Sequence, residues 1–164
     1  MFRLPRWNEL PGIDLYLDQV LTLMDDWLGE YMGKDGSGVM TKTMVNNYVK
    51  QHIIEAPVKK RYDKTAVASL FVIAILKPVY TISEISLLMK EAIDASDKEA
   101  SYNYFCGLTE RAVNHAFEGT EPGTEMDERD PRRLFWNVCN SFASQLYVRN
   151  MFLKQTKDIA DVSK

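Results

Sequence analysis

Ile13, Leu17, Val20, Leu21, Met24, Leu28 and Met32 recur at the three-to-four-residue spacing of one helix face. Pro11 and Gly12 open that stretch as a turn, and Asp14 is the candidate N-cap. The glycine-rich residues 33–38, "GKDGSG", end the helix in a loop. Thr41 then caps a second, short helix. It turns Met44, Val45, Tyr48 and Val49 inward and leaves Lys42, Thr43, Asn46, Asn47 and Lys50 on other faces. Residues 53–63, "IIEAPVKKRYD", break the helical period. Pro57 removes a donor and fixes φ, and Val58 and Tyr62 bracket three consecutive cations, the pattern of a short extended excursion or hairpin.

A helix returns at Lys64 and runs through Leu76, ended by Pro78. Thr81 and Glu84 have capping-box spacing ahead of the apolar positions Ile82, Ile85, Leu88, Met89 and Ile93. Ser96 and Glu99 repeat that spacing before a further helix, which Gly119 stops. Residues 118–130 are acidic and punctuated by Gly and Pro, so they read as a loop. Asp130 followed by Pro131 is a strong helix start. The last helix is expected from Pro131 to near Asp158, lined by Phe135, Val138, Phe142, Leu146 and Phe152 or Leu153. The fold class that follows is all-α, with a small wing at about residues 54–62. Residues 1–95 form one module and residues 96–164 a helical region for dimerisation or effector binding.

The 164 residues and 46% hydrophobic content exclude a disordered chain and suit one domain, or a small domain with a helical extension. The net charge of −3 gives no general attraction to nucleic acid. Its distribution changes that picture. Residues 39–64 hold Lys42, Lys50, Lys59, Lys60, Arg61 and Lys64 against Glu55 and Asp63, a local balance of +4 that leaves −7 elsewhere. Exposed charges are screened beyond about 8 Å in physiological salt, so local sign governs contacts. Cys106 and Cys139 form no CxxC pattern. Reduced core cysteines of a cytoplasmic protein are the expected reading, a disulfide between them the other. The opening "MFRLPRWNELPG" lacks the apolar segment of a secretory signal. Residues 66–76, "AVASLFVIAIL", span about half the length of a membrane helix and read as a buried core helix, so no membrane partner is expected.

Other chemistries find little in the sequence. "GEYMGKDGSG" falls one residue short of a phosphate loop, and Asp35 stands where Ser or Thr would bind magnesium. His52 and His115 are the only histidines and have no paired-ligand spacing, so no metal or cofactor is expected. The acidic positions between Glu121 and Asp130 do not match a calcium loop. No nucleophile elbow or dinucleotide fingerprint is present, and the chain does not read as an enzyme. Tyr102, Tyr104, Phe105, Phe117, Phe135, Trp136, Phe142, Tyr147 and Phe152 concentrate in the last third. Helix packing or a dimer interface accounts for them more simply than an effector pocket, though a small-molecule effector has room there. Trp7, Trp27 and Trp136 are expected as core anchors.

The order helix, loop, short helix, basic excursion, helix is that of a winged helix-turn-helix, whose second helix enters the major groove. From composition alone, the two asparagines and "KKR" are solvated surface. A resemblance favours the functional reading. "TKTMVNNYVKQHIIEAPVKKRYDKTAVASLFVIAILKPVYTISEISLLM" resembles the DNA-binding region of the MerR superfamily. Tyr48 matches the aromatic near the end of the recognition helix, His52-Ile53-Ile54 its glycine-leucine-leucine exit, and Lys60-Arg61-Tyr62 the end of the wing. "YTISEISLLM" is similar to the helix that follows. Most of residues 4–93 is closer still to a bacterial family of unknown function, the YkrK-like proteins. This chain departs in having Lys42 and Thr43 where an arginine is usual, a longer first helix, and His52 in place of the left-handed glycine.

The resemblance implies a DNA-binding transcriptional regulator, a repressor acting as a homodimer on duplex DNA. Thr43, Asn46 and Asn47 are the base-edge candidates, since an amide matches adenine N6 and N7. Lys42, Lys50, Lys59, Lys60 and Arg61 are the phosphate candidates. The competing reading is a helical protein-interaction adaptor that keeps the architecture without DNA affinity.

Overall fold

The computed structural model describes residues 1–33, 38–119, 127 and 129–162, with side chains as far as residue 152. Six helices stand among them: α1 (Leu17–Met32), α2 (Lys42–Lys50), α3 (Lys64–Leu76), α4 (Ile82–Ala95), α5 (Lys98–Glu118) and α6 (Arg132–Val162). Most of the loop read at residues 33–38, and most of that at 118–130, lies outside the described residues. The helices begin where side chains satisfy the free N–H groups of the first turn. Thr41 accepts from Met44 N–H, and Asp63 from Ala66 N–H at 2.8 Å. Thr81 and Glu84 close the expected capping box, and the Asp130 carboxylate accepts from Arg132 N–H at 2.9 Å.

Two starts differ from the sequence expectation. Asp14 does not cap α1. Leu15–Tyr16 are extended instead, as strand β1, and Tyr16 is the N-cap, its own N–H bonded to Gln19 Oε1 at 2.9 Å. These residues pair antiparallel with Arg61–Tyr62, strand β2, in the register Leu15 to Tyr62 and Tyr16 to Arg61. A partner 45 residues away fixes them, which no local period announces. Ile13 accordingly leaves the helix face and is 73% exposed. At α5 the cap is Asp97 rather than Ser96. The Asp97 carboxylate accepts from Ala100 N–H at 2.9 Å, and Ser96 terminates α4.

α3 is apolar on every side and is therefore the central helix. Leu70, Ile73, Ala74 and Ile75 have no exposed surface. α5 and α6 pack on it side by side. Thr109 meets Cys139 and Phe117 meets Tyr147, the same offset of thirty residues each time. A constant offset means that the two helices run parallel, so the connection returns the chain to the end at which α5 began. The N-terminal segment clamps onto this pair. Glu110 accepts from Leu4 N–H at 2.8 Å and takes both Arg6 guanidinium nitrogens at 2.7 Å, which raises the Arg6 pKa. Asn103 accepts from Trp7 N–H at 2.8 Å. One core cluster consequently extends from Phe2 to Leu146.

Trp136 is buried, but Trp7 and Trp27 are half-buried, each with a cation over its ring: Lys64 over Trp7 at 5.8 Å and Arg3 over Trp27 at 5.4 Å. Phe152 is 64% exposed and does not line the core. Cys106 and Cys139 are both free and buried. Burial pushes the Cys106 thiol up to about 12 and the Cys139 thiol up to about 11, so both are poor nucleophiles. Among the described residues, no helix is long and apolar enough to cross a membrane.

Candidate nucleic-acid interface

α2 packs Val45 and Tyr48 into the core, with Met44 and Val49 half-buried. That fixes its rotation. Lys42, Thr43, Asn46, Asn47 and Lys50 all face solvent, as the spacing predicts. The helix ends in a Schellman arrangement, with Ile53 N–H bonded to Tyr48 O at 2.9 Å and His52 N–H to Val49 O at 3.0 Å. This geometry demands a left-handed residue one beyond the cap, and His52 supplies it at φ 57°. The left-handed turn that seemed to lack its residue is therefore made without a glycine.

The basic excursion is a two-residue hairpin. Val58 and Arg61 exchange both backbone hydrogen bonds at 3.0 Å, and the two central residues are Lys59 at φ 50° and Lys60 at φ 64°. Two positive φ values in succession are the type I′ pattern, which Asn-Gly ordinarily fills. Here the positions hold exposed lysines, each in a conformation that costs a non-glycine residue roughly 1 kcal/mol. Arg61 and Tyr62 continue from this turn into β2.

Tyr16 and Asp18 connect the two halves of the site, and the sequence reading singled out neither. The Arg61 guanidinium lies 4.9 Å from the centre of the Tyr16 ring and donates to its hydroxyl at 3.0 Å. Lys42 Nζ sits 2.7 Å from Asp18 Oδ1, with both side chains well exposed. The start of α2 and the root of the hairpin are thus tied to residues two apart, at the N-terminal end of α1. The clue in the sequence was the aromatic Tyr16 next to the helix start, and it was hidden because Tyr16, three residues after Ile13, falls on the expected helix face. The Lys42–Asp18 pair is solvent-screened and contributes little to stability, so a phosphate could displace the carboxylate. Lys77, a further basic side chain in contact with α2, is half-buried against Met44 Sδ at 3.5 Å, and desolvation lowers its pKa.

These elements define a mostly helical protein with one short antiparallel β-ladder and a polar helix beside a cationic turn. Its family follows from a match to the model described as a domain of unknown function, DUF1836, over residues 5–105, and the chain belongs to that family. The matched span holds both strands, α2 and the hairpin, and ends within α5. Curated proteins and solved structures show no match.

Proposed function

We propose that residues 1–95 act as a MerR-like winged helix-turn-helix that binds duplex DNA sequence-specifically, in a homodimeric transcriptional repressor. The observation that carries this reading is the hairpin Val58–Arg61. Its two central positions would be most stable as Asn and Gly, yet both hold exposed lysines. Strain kept at a charged surface turn points to work done by the charge. In this reading, α2 lies in the major groove. Thr43, Asn46 and Asn47 meet base edges, while Lys42, Lys50, Lys59, Lys60 and Arg61 meet phosphates. Arg61 is already restrained by the Tyr16 ring and hydroxyl, which lowers the entropy lost on binding a phosphate.

A gel shift of the full chain against the DNA upstream of its own coding sequence, at two salt concentrations, tests this. The expected result is a discrete complex that shuffled DNA does not compete away and that weakens steeply with salt. Lys60→Ala should weaken all sequences alike and reduce the salt slope by about one. Asn47→Ala should relax preference at one base pair. A complex that shuffled DNA competes equally well, or no complex at low salt, overturns the reading and favours the protein-interaction adaptor.

A further inference from the structure

Arg61 and Lys42 are both held by the start of α1, and they are held differently. Arg61 leans on Tyr16, a neutral ring and hydroxyl, so it is restrained without an opposing charge. Lys42 Nζ lies 2.7 Å from a carboxylate oxygen of Asp18, which sets an opposing charge directly against it. Among the described residues, Lys42 is the only one of the five phosphate candidates in an ion pair. Residues 39–64 carry their cationic balance along the chain, but the fold brings Asp18 from outside that stretch to the first residue of α2. The folded surface is therefore less cationic than the segment that supplies it.

Stability does not explain the pairing. The two side chains are 61% and 75% exposed, so water screens the pair and its contribution to folding is small. Asp18 also stands in the first turn of α1, where an acid suits the positive helix end. That role does not require Lys42. What the pair does change is the field at the start of α2. A phosphate approaching Lys42 must displace the carboxylate, and the displaced carboxylate stays close enough to repel it.

We propose that Asp18 is a built-in brake on DNA binding: it masks Lys42 in the free protein, so that α2 makes its first phosphate contact only by breaking the pair. This rests on the DNA-binding reading of α2 and the hairpin. Phosphate contacts carry no sequence information, so the brake acts on every duplex alike.

Fluorescence anisotropy of the full chain with a labelled duplex from upstream of its own coding sequence, and with a shuffled duplex, over a series of salt concentrations, tests it. Asp18→Asn, at an exposed position, should tighten both duplexes about two- to fivefold, the size of one exposed ion pair. It should also steepen the salt slope by up to about one, which a purely structural role in α1 would not do. In a Lys42→Met background the gain should shrink. Glu91→Gln, the same charge change at an exposed position of α4, should leave affinity unchanged. If the wild-type chain binds neither duplex at low salt, the DNA-binding reading fails and the brake falls with it. If the wild type binds, the brake alone is overturned by an Asp18→Asn variant with unchanged affinity and slope, by an equal gain from Glu91→Gln, or by a gain undiminished in Lys42→Met.

Discussion

α2 and α5 both end in a left-handed residue, and the two ends are made differently. At the end of α5 the position is Gly119 at φ 66°, the residue for which that conformation costs nothing. At the end of α2 it is His52, and seven residues later Lys59 and then Lys60 take the same strained region. The C-terminal pair is built as stability alone would build it, with the Gly119 stop, the Asp97 and Asp130 caps and the Glu110 clamp. The α2–hairpin surface is built with residues that stability disfavours. Where a fold accepts that cost at exposed charged positions, selection for something other than the fold is the economical explanation.

The clamp is the largest effect available. Glu110→Ala removes the partner of Arg6 and of Leu4 N–H together, at a site where both side chains are mostly buried. Because Arg6 keeps a third of its side-chain exposure, water recovers part of the loss. The variant should lose about 2–3 kcal/mol in urea unfolding. A loss under about 1 kcal/mol would mean that the N-terminal segment is not docked, and the contrast between a stability-built and a strain-built region would fail.

The sharpest test replaces strain with the favoured residues. Lys59→Asn combined with Lys60→Gly should raise stability by about 0.5–1 kcal/mol, the relief at two left-handed positions less the freedom that Gly restores to the unfolded chain. The same variant should lose affinity for duplex DNA at low salt. Opposite movement of urea midpoint and gel-shift affinity is the signature of a strained functional turn. A stabilised variant with unchanged DNA affinity would leave the lysines as surface decoration. His52→Gly is the companion. It should stabilise by about 0.5 kcal/mol and leave DNA affinity unchanged, because the gain is backbone relief alone.

What was legible in the sequence divides along physical lines. Apolar periodicity located all six helices, and local side-chain-to-backbone chemistry marked Thr41, Thr81, Gly119 and Asp130. The solvent face of α2 was readable for the same reason, since burying Val45 and Tyr48 fixes where Asn46 and Asn47 point. Pairings distant along the chain were not readable. Leu15 and Tyr16 looked like a first helical turn because the strand that claims them lies at Arg61–Tyr62. Arg6 with Glu110 is 104 residues apart. The parallel course of α5 and α6 depends on how far a connection travels, which composition does not encode.

The smallest effect asks whether the two regions melt together. Thr81 donates to Glu84 through its backbone N–H at 2.8 Å and its hydroxyl at 2.9 Å, which favours the carboxylate and holds its pKa below the ordinary 4.5. Arg132 does the same for Asp130, first through its side chain and then its backbone N–H, lowering that pKa below 3.8. In both cases the unfolded carboxylate binds its proton first as the pH drops. The stabilisation is therefore complete above the ordinary values and is lost as pH falls through the lowered folded ones. Glu84→Gln should flatten the acid limb of Tm against pH slightly, and Asp130→Asn should do so separately. Glu84 caps α4 and Asp130 caps α6, on opposite sides of residue 95. If one core joins them, each substitution shifts a single transition and the double variant shows the sum. Two resolved transitions, each answering to one substitution, would show that the region under strain and the region built for stability unfold independently.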